Sequence, residues 1–213
     1  MSHHTKKYSL AEEISHAITH GVGLLLSIAG LAILIGFAAV HNSALAITCS
    51  AIFGATLIIL YGASTLYHAV THEKIKNIFQ QFDHASIYLL IAGTYTPITL
   101  VALGRVWGWT IFSIIWGCAL LGITLELAFP GRFKKIAIAL YLLMGWMIVI
   151  AINPLIDNIE NGGLWLLLAG GLSYSVGVIF YLWKSLPFNH AIWHLFVLGG
   201  SITHYLVVLI YII

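Results

Sequence analysis

Seven apolar runs, each about as long as the hydrocarbon layer of a bilayer is thick, follow one another with connectors of two to eight residues between them. A helix rises about 1.5 Å per residue, so roughly 20 apolar residues cross the layer. Inside hydrocarbon every backbone N–H and C=O must be paired within the segment, and runs of this length meet that demand as helices. We place the spans at 14–40, 43–70, 79–103, 106–128, 134–155, 163–183 and 190–212. Only 8% of the 213 residues are charged, against about 25% in a soluble domain. The expectation is an all-α integral membrane protein, a seven-transmembrane helix bundle formed as a single domain over 1–213, with no room for a soluble one.

Orientation follows from the basic residues. Lys6, Lys7, Lys74, Lys76, Arg132, Lys134, Lys135 and Lys184 fall on one side of such a bundle and Arg105 alone on the other. That asymmetry predicts the N-terminus in the cytoplasm and the C-terminus outside. The net charge of +2 is spread over short loops, which argues against a nucleic-acid partner. The first run exceeds a signal-peptide core, so we expect no cleavable leader. Cys49 and Cys118 lie in apolar runs and read as small core residues. Pro97, Pro154 and Pro187 read as a kink, a span end and a loop, and most glycines as close helix contacts.

Ionisable groups in a membrane are costly and mark function. The topology gathers several near the cytoplasmic interface: His68 at the end of span 2, Asp83 at the start of span 3, and His190 and His194 at the start of span 7. The i, i+4 pair His190/His194 presents two imidazoles on one helix face, a geometry that suits a metal clamp. A third histidine would complete a three-His zinc site with an open position. His68 is the candidate, with Ser64 one turn away on the same face, and Asp83 is placed to act on a metal-bound water. An aspartate in a span without a basic partner also calls for a compensating cation.

Other readings stand beside this one. The four groups could form a buried polar network that only joins helices. The chain holds three HxxxH pairs, so one alone is weak evidence. His16/His20 read more readily as capping or interfacial residues than as ligands. His72 adjoins Glu73 and Lys74 and should be solvated. Glu126 reads as an interfacial carboxylate that snorkels or pairs near Arg132. His204 lies about 15 Å along the helix from His194, too far to share an ion, and suits a helix–helix hydrogen bond. His3, His4 and His41 carry no assignable role.

The motif Ser64-x-x-x-His68, then Asp83, then His190-x-x-x-His194 resembles the progestin and adipoQ receptor family, in particular its bacterial hemolysin III branch. Tyr8-Ser-Leu-Ala-Glu-Glu, Thr19-His-Gly, the stretch from Asp83 to Pro97, and Asn189-His-Ala-Ile-Trp-His resemble that branch too. The long N-terminal extension of animal members has no counterpart here, as the resemblance leads one to expect. It implies seven spans, N-terminus in, with zinc on His68, His190 and His194, Asp83 contacting the zinc-bound water, and Ser64 beside it.

The function to expect is an intramembrane zinc-dependent hydrolase of lipid amides or esters, ceramidase-like, acting in lipid homeostasis in the bacterial inner membrane. Ser64, Tyr67 or Tyr88 would help to hold the oxyanion, and membrane lipids would be the partners. A non-enzymatic lipid-sensing regulator with structural zinc is the second expectation, and a pore-forming cytolysin the third. The apolar outer half of the bundle speaks against a pore.

Overall fold

The computed structural model describes residues 8–41 and 43–213, without the side chain of His41. His3, His4, Lys6 and Lys7 lie outside the described residues. Helices α1 (Leu10–His41), α2 (Ala44–Ala69), α3 (Glu73–Pro97) and α4 (Arg105–Ala128) form the first four spans. The fifth is composite: α5 (Lys134–Gly145), a 3₁₀ turn (Met147–Ala151) and α6 (Ile152–Asn158). Helices α7 (Asn161–Leu182) and α8 (Asn189–Val207) complete the set. All seven are long and apolar enough to cross a membrane, and no strand occurs among the described residues.

Two helices begin earlier than the apolar pattern predicts, because polar first turns extend them. At Ser9 the hydroxyl accepts from the Glu12 amide at 3.3 Å, and a Glu12 carboxylate oxygen accepts from the Ser9 amide at 2.9 Å. This reciprocal capping starts α1 at Leu10. Helix α3 starts at Glu73, where a loop was expected through residue 78. Its first turns carry Lys74, Lys76 and Asn77, a polar stretch that helix geometry accepts and a hydropathy cut misses.

Helix α1 packs along α2, α2 along α3, α3 along α4, α7 along α8, and α8 returns to α1. One core joins α1, α2 and α8 around Leu34, Phe53 and Tyr61. A second joins α3, α4 and the fifth span around Tyr95, Ile115 and Met144. Large side chains such as Leu25, Val106 and Trp165 face outward, as expected where lipid is the solvent.

The α1–α2 contact is tight for a definite reason. A Cβ on Gly23 would lie 2.6 Å from the Tyr61 ring, so only glycine lets that ring lie against α1. The Tyr61 hydroxyl in turn donates to Ser201 Oγ of α8 at 2.8 Å. Pro97 does mark an irregularity, since a π-helical turn (Ile98–Ala102) follows it. Pro154 lies within α6 rather than at the span end, and Pro187 is in the α7–α8 connector.

Candidate metal centre

Each histidine near the α8 start arrives there for a local reason. Phe188 adopts a left-handed conformation (φ 55°) that turns the chain into α8. Asn189 Nδ2 then donates to the carbonyls of Phe180 and Tyr181 at 3.0 and 3.2 Å, which ties the α8 start to the α7 end. The next residue, His190, and His194 one turn beyond it face inward, their ring centroids 4.5 Å apart. From α2, His68 comes within 5.2 Å of His190 and 5.3 Å of His194. One ligand atom from each of these three rings lies within 4.8 Å of the others, and all three residues are buried.

The hydrogen bonds around the rings fix which nitrogens face the centre. His68 Nδ1 stands 2.7 Å from Glu13 Oε2, and the other Glu13 oxygen is paired with Lys76 Nζ at 3.0 Å. A carboxylate only accepts, so His68 Nδ1 carries a proton, and in the neutral imidazole that leaves the lone pair on Nε2. Thr19 donates its hydroxyl proton to the Ser15 carbonyl at 2.8 Å and stands 3.3 Å from His194 Nδ1. It therefore accepts from Nδ1–H, and His194 Nε2 likewise keeps its lone pair. Such outer contacts are what orient imidazoles in metal sites. Both Nε2 atoms, and both nitrogens of His190, are buried without a hydrogen-bond partner. Each buried orphan costs about 1–3 kcal/mol, so four together fit a cation that ligates some of them. This donor set can hold a metal ion.

Asp83 is buried beside this cluster, within electrostatic reach of His68. Ser64, fully buried on α2, faces its carboxylate without closing a hydrogen bond of good geometry. Tyr67 and Tyr88 stand in different surroundings, Tyr67 within electrostatic reach of Asp83. The Tyr67 hydroxyl accepts from Gln80 at 3.0 Å, and the Tyr88 ring packs on Gly122 of α4.

Asp83 and His20 line one end of an apolar cleft of about 130 Å³ between α3, α5, α7 and α8. The cleft is otherwise walled by residues such as Ile87, Leu90, Trp146 and Val197, with Tyr141 among its lining. A second cavity, sharing Thr94, Tyr95, Trp146 and His204 with it, continues to Ile156 and Asn161 near the opposite end.

The reading of His16 and His20 as capping or interfacial residues needs correction. His16 is 0% and His20 2% exposed, and all four of their ring nitrogens lack hydrogen-bond partners. The His16 ring stands 4.6 Å from His68 and 4.8 Å from His190, and His20 stacks on His194 at 3.5 Å. Glu13, Thr19 and Tyr8 were given no role in the sequence. Tyr8 packs over His16 and His190 at 4.8 and 5.3 Å, and burial pushes its phenol above the ordinary value, so it stays protonated. The available signal was the stripe Glu13, His16, His20, polar at helical spacing in an apolar helix.

Other sequence candidates lie away from the centre. His72 is exposed just before α3. Glu126 is buried and paired with His84 Nδ1 at 3.0 Å, while Arg132 lies over the rings of Phe129 and Phe133 instead. His204 Nδ1 donates to the Gly200 carbonyl at 2.8 Å within its own helix, and not across to another.

Comparison with known proteins gives the family of the chain. Residues 8–205 match the family described as Haemolysin-III related. The chain is 50% identical to Hemolysin-3 of Bacillus cereus over 95% of its length and 92% of that protein's. It is 49% identical to the Hemolysin-3 homolog of Bacillus subtilis (strain 168) over 96% of both chains. A more distant similarity, 28% over 73% of this chain and 77% of the other, reaches the heptahelical transmembrane protein ADIPOR2 of Oryza sativa subsp. japonica. With seven apolar helices, a buried histidine cluster and a match over nearly its whole length, the chain belongs to the haemolysin-III related family, the bacterial branch of the progestin and adipoQ receptor proteins.

Proposed function

We propose that the chain is an intramembrane hydrolase of lipid amides or esters, with zinc on His68, His190 and His194. The observation that carries this reading is the pairing of Nδ1–H on His68 and His194 with Glu13 and Thr19. It leaves both Nε2 lone pairs facing a buried centre beside an aspartate. Zinc supplies Lewis acidity, which lowers the pKa of a water towards about 7 and polarises a carbonyl.

The chain's own residues do the rest. Asp83 accepts the proton of the attacking water. Ser64 Oγ, buried and facing the Asp83 carboxylate, turns its proton to the oxyanion of the tetrahedral intermediate. The apolar cleft takes the acyl chain, and its low polarity keeps bulk water from the site. The membrane is the bacterial inner membrane, with the N-terminus in the cytoplasm, so that substrate arrives from the inner leaflet. The role is turnover of membrane lipid.

The test is to incubate purified zinc-loaded protein with a broad lipid panel and measure released fatty acid by mass spectrometry. Release should be lost in His194→Ala together with the metal, and lost in Asp83→Asn with the metal retained. Equal release from wild type and His194→Ala would end the enzyme reading.

A second reading, a lipid-responsive regulator whose metal is structural, is favoured by the extra imidazole of His16 at the centre. In that case Asp83→Asn leaves the lipid response intact. A cytolytic pore, which the Bacillus relatives' name suggests, would need a polar path. The cleft walls give it little support, being mostly Leu, Ile, Val and Trp.

A further inference from the structure

Four imidazoles, rather than three, surround the centre. His16 stands 4.6, 4.8 and 5.4 Å from His68, His190 and His194 by ring centroids. The three remaining separations are 5.2, 5.3 and 4.5 Å. Each ring therefore neighbours the other three, and the four mark the corners of a near-regular tetrahedron. An imidazole bound through nitrogen at about 2.0–2.1 Å has its centroid about 3.2 Å from the ion, so four in tetrahedral array stand about 5.2 Å apart. The observed edges bracket that value.

His16 has no other task visible in the structure. It is fully buried, and neither ring nitrogen has a hydrogen-bond partner. The Glu13 carboxylate stands 4.0 Å from Nδ1, beyond hydrogen-bond range. A ligand atom of His16 groups with those of Glu13 and His68 within 4.8 Å, while His190 and His194 group with His68 and not with His16, so ligation by His16 requires its ring to turn. A flip of the ring about Cβ–Cγ exchanges its nitrogen and carbon positions with little movement of the centroid, which is the turn the inference calls for. His20 is the contrasting case. It lies flat on His194, 3.5 Å away and 10° from parallel, and two stacked rings cannot point at one tetrahedral ion.

We infer that His16 is a fourth protein ligand, so that the resting centre is closed by four imidazoles and an incoming molecule must displace His16 to reach the ion. Displaced, the ring has the Glu13 side of its pocket to turn to. The inference rests on the metal of the proposed function but not on hydrolysis.

The test uses the full chain in detergent, loaded with Co²⁺, and follows the visible spectrum as azide is added. The wild-type and His20→Ala spectra should not respond, whereas that of His16→Ala should shift, because a solvent-exchangeable position has opened. Cobalt should also dissociate at least about tenfold more readily from His16→Ala. An equal response in wild type and His16→Ala, whether a shift or none, overturns the inference. Should His16→Ala fail to fold, X-ray absorption on the zinc-loaded wild type decides: four imidazoles support the inference, three with one oxygen overturn it. A wild type that retains neither cobalt nor zinc removes the metal itself, and the proposed function falls first.

Discussion

A buried histidine with an unpartnered nitrogen is a residue whose environment is incomplete, and the bonds on its other nitrogen tell which way it is incomplete. Glu13 and Thr19, both on α1, give His68 and His194 the same tautomer. Removing such an outer partner typically costs 10–100-fold in metal affinity. Glu13→Ala and Thr19→Val should each weaken zinc binding by about that factor, read by competition with a chromophoric chelator, with the helix content unchanged. This level was only partly legible in the sequence. His68, His190 and His194 could be matched by depth and spacing, because HxxxH fixes a helix face. Glu13 could not be distinguished from Glu12 without the register of α1 against α2. In the structure Glu12 caps the helix and Glu13 turns inward.

Helices carry these side chains to one place only if their axes approach closely. Gly23 against the Tyr61 ring sets the α1–α2 distance near the histidines, since Tyr61 also packs on His20 at 5.0 Å. Gly23→Val should push the two helices apart and cost about 1–3 kcal/mol, measured as a lower Tm, with loss of bound metal. Gly36→Ala, where an added Cβ meets nothing within 4 Å, should do neither. All seven spans were legible because 20 apolar residues admit few alternatives to a transmembrane helix. Their polar first turns at Ser9 and Glu73 were not, because hydropathy reports the solvent a segment prefers and not where its hydrogen bonding begins. Nor does periodicity distinguish a histidine that faces a headgroup from one that faces a neighbouring helix, which is why His16 and His20 read as interfacial.

Over the whole molecule, the cleft runs from Asp83 and His20 along α3, α5, α7 and α8. A bulky residue there should block lipid while sparing the ion. Val178→Trp is expected to abolish release of fatty acid with zinc content unchanged, measured on one preparation by mass spectrometry and metal analysis. The proposed orientation is checked separately. A cysteine at Asp157, with Cys49 and Cys118 replaced by alanine, should react with an impermeant thiol reagent added to intact cells, and one at Lys74 should not.

The fifth span changes helix type where the two cavities meet, and one phenol bridges the change. The Tyr95 hydroxyl donates to the Gly145 carbonyl at 2.9 Å and accepts from the Ile148 amide at 3.0 Å. Water cannot take over either partner in hydrocarbon. Tyr95→Phe should therefore cost about 1–3 kcal/mol and loosen α6 against α5, seen as faster amide exchange in the α6 half of that span alone. The shape of the wall that the two cavities share is thus held by one oxygen atom that α3 lends to the fifth span.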